Sequence, residues 1–293
     1  FGPIFDMRYF VEQMARQFGS RLIYADTLLD VAVHARIAKR EIIDMRMTWH
    51  IKKPEDFTII DMKAKPTEQQ LTKKVFSILH PVSQSKIKDA LSHQFSVLLL
   101  TTRKGLVPVT VCGDCGTIVS CPQCGAPLVL HRKKAKDASA QETRTYMCHH
   151  CMYTTPPYDR CTACTSWKLT MLGISTESIR SEAEAFFPAS TVFVCDGDTT
   201  TPTAIGKTID LWQKTPGSIM IATPMIIPYL DRTDFGCIVS MDSLLSLPVY
   251  TGGEQGLHTS LAFLEKCTHS AVIQTRSITH DVMAAITFSY RRL

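Results

Sequence analysis

Short, continuous apolar runs punctuate this chain, and stretches with apolar residues every three or four positions lie between them. The runs at 96–101, 191–195, 218–222, 236–240 and 271–275 read as strands buried on both faces. Helical periodicity covers 85–93, with Ile87, Ala90 and Leu91 on one side, then 176–186, 204–214 and 255–267, the last with Leu257, Leu261 and Leu264 aligned. Upstream, the pattern gives a helix over 6–18, a strand at 21–25, a helix over 28–37, a strand at 57–61 and a helical stretch opened by Pro66. Strands alternating with helices predict an α/β fold with a doubly wound parallel sheet.

Between 112 and 164 cysteines replace this alternation. Eight of the 11 cysteines form four Cys-x-x-Cys pairs: Cys112/Cys115, Cys121/Cys124, Cys148/Cys151 and Cys161/Cys164. Two intervening residues let both sulfurs of a tight turn face one ion, and eight thiolates fill two closed tetrahedral Zn²⁺ sites. A redox dithiol normally occurs once, at a helix N-terminus, and disulfide frameworks belong to short secreted chains. Gly116 and Gly125 directly follow a second cysteine, where a zinc knuckle needs a permissive backbone. His149 and His150 abut the third pair, but eight sulfurs already complete two sites. The gaps between pairs are 5, 23 and 9 residues. Spacing favours a nested pairing, outer with outer and inner with inner, only slightly over a sequential one. The zinc segment is expected as an insertion after the first strand of the α/β domain.

The composition sets bounds. Hydrophobic residues make up 45% and charged residues 20% of the 293, enough apolar material for a sizeable core. A net charge of +5 permits a nucleic-acid partner without demanding one. The longest apolar run, 219–230, is too short to span a membrane and contains Pro224 and Pro228. Reduced cysteines point to a reducing compartment, so the cytoplasm is expected. The chain begins at Phe1 rather than Met, which suggests a fragment or a processed product.

The order of motifs is informative. Thr102-Arg103-Lys104-Gly105 follows a buried run and leads into the first cysteine pair. After the fourth pair come Gly173-Ile-Ser-Thr-Glu177, a helix ending at Pro188, and Asp196-Gly-Asp198-Thr-Thr. This order resembles the C-terminal helicase lobe of the primosomal protein N-prime family, superfamily 2 DNA helicases of replication restart. Weaker likeness extends to Ala25-Asp26-Thr27, Ile59-Ile-Asp61-Met62-Lys63, Ile219-Met-Ile-Ala-Thr223-Pro-Met225 and Val272-Ile-Gln274-Thr275. The resemblance implies a RecA-like second lobe at 66–111 and 169–293, a zinc insertion at 112–168, and the tail of a first lobe at 1–65. It also implies two zinc ions, nested as Cys112/Cys115 with Cys161/Cys164 and Cys121/Cys124 with Cys148/Cys151. DNA, forked or single-stranded, and replication-restart proteins are the implied partners.

The parts needed for ATP hydrolysis are the weak point. Gly206-Lys207-Thr208 lacks the upstream glycine of a P-loop, having Thr201 there, and sits in a helical stretch. No Asp-Glu-x-His occurs. Where the family carries a Gln-x-x-Gly-Arg-x-Gly-Arg stretch, residues 262–270 hold no arginine. Loss of such arginines costs on the order of 10³–10⁵ in rate, so ATP turnover by this chain is not expected. Basic residues at Arg132, Lys133, Lys134 and Lys136, with Arg103 and Lys104, are candidate DNA-backbone contacts against a reading as a solvated hairpin tip. Asp196 and Asp198 read as a turn, and Asp234-Phe-Gly236 as a chance match to a kinase metal motif. The competing view of the whole is a non-enzymatic, zinc-stapled scaffold.

Overall fold

The apolar runs become the strands of one sheet. The computed structural model describes residues 7–25, 29–45, 54–63, 77–101, 109–125, 127–133, 143–148, 151–172, 174–196, 201–245 and 251–292. The chain divides into two units, Phe1–Thr48 and Trp49–Leu293.

The first unit holds α1 (Met7–Gln17) and α2 (Val31–Ala38). Asp30 caps α2 by accepting the Val33 amide at 2.7 Å. The two Arg36 Nη atoms each donate to a Glu12 oxygen at 2.9 Å, a two-point contact that holds the Glu12 carboxyl below its usual range. Residues 21–25 form no strand and pair with none among the described residues, and Ile23 is 80% exposed. The strand expected there is absent, because apolar alternation alone does not supply a partner for the ladder.

The second unit begins with β1 (Asp56–Asp61), α3 (Pro81–Ser92) and β2 (Val97–Leu100). Five short strands follow: β3 (Val109–Cys112), β4 (Val129–Lys133), β5 (Thr143–Met147), β6 (Thr154–Thr155) and β7 (Leu169–Leu172). The α/β pattern resumes with α4 (Thr176–Phe186), β8 (Val192–Cys195), α5 (Pro202–Gln213), β9 (Ile219–Ala222), a 3-10 segment (Pro224–Tyr229) and β10 (Thr233–Ile238). Then come α6 (Met241–Leu245), α7 (Gly252–Lys266), β11 (Cys267–Thr275) and α8 (Asp281–Arg292).

Six strands form a parallel sheet in the order β1-β11-β10-β2-β9-β8. Alternate residues serve opposite faces, as the pleat requires. Leu98, Leu100, Met220, Ala222 and Ile273 pack with Trp212, Phe263 and Ile286 on one face. Val97, Leu99, Ile219, Ile221 and Val272 pack with Ile87, Ile179 and Ala183 on the other. The doubly wound α/β sheet is therefore as the run pattern indicates, with α5, α7 and α8 over one face and α3 and α4 over the other. Gly236 is required in β10: a Cβ there would lie 2.3 Å from the Cys267 sulfur and 2.6 Å from the Phe263 ring.

Two placements differ from the sequence reading. The strand assigned to the tail of a first lobe is β1, which runs parallel beside β11 at the edge of this same sheet. The cysteine segment therefore follows the second strand of the sheet, not the first. Helix α3 also begins earlier than the periodicity suggests, because Pro81 at its first turn fits a helix start and His80 caps it. The helical stretch expected from Pro66 lies outside the described residues.

Candidate metal centre

Strands β3 to β7 make a separate antiparallel sheet in the order β6-β5-β4-β3-β7. Its small core comprises Val119, Leu128 and Tyr146 with Cys121 and Cys148, and the Tyr158 ring lies tilted against Tyr146 with centroids 5.5 Å apart. So little apolar material cannot hold a fold of this length by burial alone.

The cysteine pairs sit in turns built alike. In each, the residue after the second cysteine has a left-handed backbone: Gly116 (φ 70), Gly125 (φ 74), Met152 (φ 62) and Thr165 (φ 58). In each, that residue's N–H donates to the carbonyl of the first cysteine: Gly116 to Cys112 at 2.8 Å, and Gly125 to Cys121, Met152 to Cys148 and Thr165 to Cys161 at 2.9 Å. The turn lifts the intervening N–H groups toward the sulfurs, as where the Ala163 amide lies 3.4 Å from the Cys161 sulfur.

The four turns converge in two groups, Cys112, Cys115, Cys161 and Cys164 in one and Cys121, Cys124, Cys148 and Cys151 in the other. Within each group all sulfurs lie within 4.8 Å of one another. The grouping is the nested one. Cross-pair sulfur distances are 3.5 Å (Cys112–Cys164), 3.6 Å (Cys115–Cys161), 3.5 Å (Cys121–Cys151) and 3.4 Å (Cys124–Cys148). A disulfide needs about 2.05 Å. Four sulfurs at about 2.3 Å from a central ion stand about 3.8 Å apart, close to the observed spacing.

Electrostatics favour a cation at both centres. Burial opposes ionisation of Cys115, yet hydrogen bonds with Thr117 and the Cys164 and Cys161 thiols outweigh it and lower the thiol to about 6. Burial also opposes ionisation of Cys121, and the amides of Gln123 and Cys124, with the neighbouring thiols, bring it to about 7. The Ser166 amide favours the Cys164 thiolate, but the crowded sulfurs of Cys115, Cys112 and Cys161 push it up to about 12. Cys151 is likewise raised: the Tyr153 amide is outweighed by burial and by the Cys121 and Cys148 sulfurs. Four sulfurs this close cannot all ionise unaided; a dication at the centre attracts all four and offsets that repulsion. Each tetrad can therefore hold a metal ion.

The other candidates separate plainly. Gly206-Lys207-Thr208 lies within α5, its backbone committed to the helix. The Asp234 carboxylate accepts from the Ser96 amide and hydroxyl, both at 2.8 Å, a structural clasp. Residues 262–270 form the end of α7 and the start of β11. Arg132 and Lys133 are on β4, their backbone opposite Arg144 and Thr143 of β5. Arg103, Lys104, Lys134, Lys136, His149, His150 and Asp198 lie outside the described residues. Arg276 went unnoticed in the sequence, where nothing marks it beyond its place after a buried run.

Several known proteins are similar in sequence to this chain. Over 207 residues the chain is 28% identical to the replication restart protein PriA of Rickettsia felis, covering 70% of this chain and 30% of that protein. It is 32% identical over 170 residues to PriA of Rickettsia typhi, covering 57% of the chain and 24% of the relative. The match to PriA of Borreliella burgdorferi is 22% identical over 257 residues, covering 86% and 36%. The chain is similar to PriA proteins over more than half of its length. The resemblance read from its motif order is thereby borne out, although the chain spans only about a third or less of the length of these PriA proteins. No family model matches the chain. Among the described residues, no helix is long and apolar enough to cross a membrane.

Proposed function

We propose that this chain is a diverged replication-restart helicase homologue that binds DNA and restart partners in the cytoplasm through a two-zinc module. On this reading, the six-stranded sheet, β1 included, with its helices makes a helicase lobe, and β3 to β7 with their cysteine turns make the metal module. The observation that supports it is the pair of nested cysteine tetrads, inserted after a central strand of a parallel sheet in a PriA-like chain. Zinc is the metal that suits four thiolates in a closed tetrahedron. When bound, each ion would offset half of the charge of its four thiolates and fix two of the four turns. The cysteines hold the ions, and the basic residues Arg103, Lys104, Arg132, Lys133, Lys134 and Lys136 engage the DNA backbone.

ATP turnover is not part of the proposal. The stretch at 262–270 lacks arginine, and Gly206-Lys207-Thr208 is an ordinary helical segment. Metal analysis of the native protein is expected to give two zinc equivalents, and fork-DNA affinity is expected to fall steeply as salt rises. Two zincs without DNA binding above background would favour the scaffold reading. DNA-stimulated ATP hydrolysis by the purified protein would refute the inactive-lobe reading.

A further inference from the structure

The two tetrads differ in what lies against them. The second lies against its own module, with Cys121 and Cys148 in the small core beside Leu128 and Tyr146 and Cys124 exposed. Around Gly125, a Cβ would meet nothing within 4 Å. The first tetrad instead abuts the large sheet at Gly116. A Cβ there would fall 2.8 Å from Arg276 Nη1 and 3.7 Å from Lys63 Cγ.

Arg276 follows the last residue of β11 and is only 9% exposed. Its amide donates to Asp242 Oδ2 at 2.7 Å, and the adjacent Thr275 hydroxyl donates to Asp242 Oδ1 at 3.2 Å. Asp242 thereby fixes the arginine's backbone. Its Nη1 then forks, donating to the Met62 carbonyl just past β1 at 3.4 Å and to the Gly116 carbonyl at 3.3 Å. Both bonds are long for N–H···O, so each is individually modest. Together they join the edge strand, the neighbouring strand and the first cysteine turn at one guanidinium, in a place shielded from water. Gly116 is also the residue whose N–H closes the Cys112/Cys115 turn at 2.8 Å. A pull on its carbonyl therefore acts on the turn that presents two of the four sulfurs.

We infer that Arg276 is a positioning residue that ties the first metal centre to the carboxyl edge of the sheet, making the two metals unequal. The inference rests on the two-zinc reading above. Among the described residues, Arg276 donates to the first turn and to no residue of the second centre.

Zinc release from the full chain into a chromogenic chelator tests it. The native protein is expected to release two equivalents in two phases. Arg276→Met, which keeps length but removes the donors, should speed one phase by about fivefold, the loss of a modest charged hydrogen bond, and leave the other unchanged. Arg276→Lys should restore part of the loss. Gly116→Ala and Gly125→Ala impose the same backbone strain, but only the first meets Arg276. Gly116→Ala should accelerate the phase that Arg276→Met moves, and by less when Arg276 is already Met. Gly125→Ala should accelerate the other phase. Equal effects of Arg276→Met on both phases, no effect on either, or strict additivity with Gly116→Ala would overturn the inference while leaving two zincs in place. Fewer than two equivalents in the native protein would overturn the metal reading and this inference with it.

Discussion

One backbone position repeats at all four cysteine turns, and only half of it was legible. Gly116 and Gly125 announce a left-handed residue, since glycine adopts positive φ without penalty. Met152 and Thr165 hold the same conformation but cannot announce it, because neither residue type favours positive φ as Gly, Asn or Asp do. A left-handed non-glycine residue costs roughly 1–2 kcal/mol, against which glycine's extra freedom when unfolded costs about 0.5–1. Met152 is 66% exposed, so its side chain has little packing to lose. Met152→Gly should therefore stabilise the module by up to about 1 kcal/mol, read as a higher melting temperature of the zinc-loaded protein. A lower melting temperature would show that the turn carries no strain.

The long buried elements were legible because burial on two faces leaves apolar runs that nothing else explains. β2 and β9 are wholly buried and stood out at once. β3 to β7 did not, being two to five residues long, partly polar, and held by ligand turns more than by periodicity. Helix α3 shows what periodicity misses at an element's end. Its cap is His80, whose Nδ1 accepts the Val82 amide at 3.2 Å, and burial lowers the imidazole pKa. A protonated ring cannot accept that bond, and its charge would meet the positive helix terminus. With the folded value below the unfolded value near 6.5, the unfolded chain binds more protons, so stability is present above that pH and drains away as pH falls below it. His80→Asn keeps an acceptor that does not titrate. Between pH 7.5 and 5.5 it should lose less melting temperature than the native protein; parallel losses would remove His80 from the account.

The whole molecule joins two kinds of order. The six-stranded sheet has a core on each face, built from its own side chains, whereas the antiparallel module depends on its tetrads. Chelation should therefore expose 112–164 to protease and hydrogen exchange while β2, β9 and β10 stay protected, since structural zinc supplies roughly 10–16 kcal/mol to a small fold. Collapse of the whole second unit in one step would contradict this division. Neighbour choice across a parallel sheet was the least legible feature, because β1 and β11 meet across some two hundred residues of sequence and no local pattern records the match. The module's own ends do meet, Val109 opposite Leu172 and Cys112 opposite Leu169. Its first and last strands thus lie side by side as one narrow stem. Such a graft burdens its host with almost no extra chain-closing entropy, so the appendage is free to lengthen, shorten or vary in sequence while the strand order beneath it stays as it is.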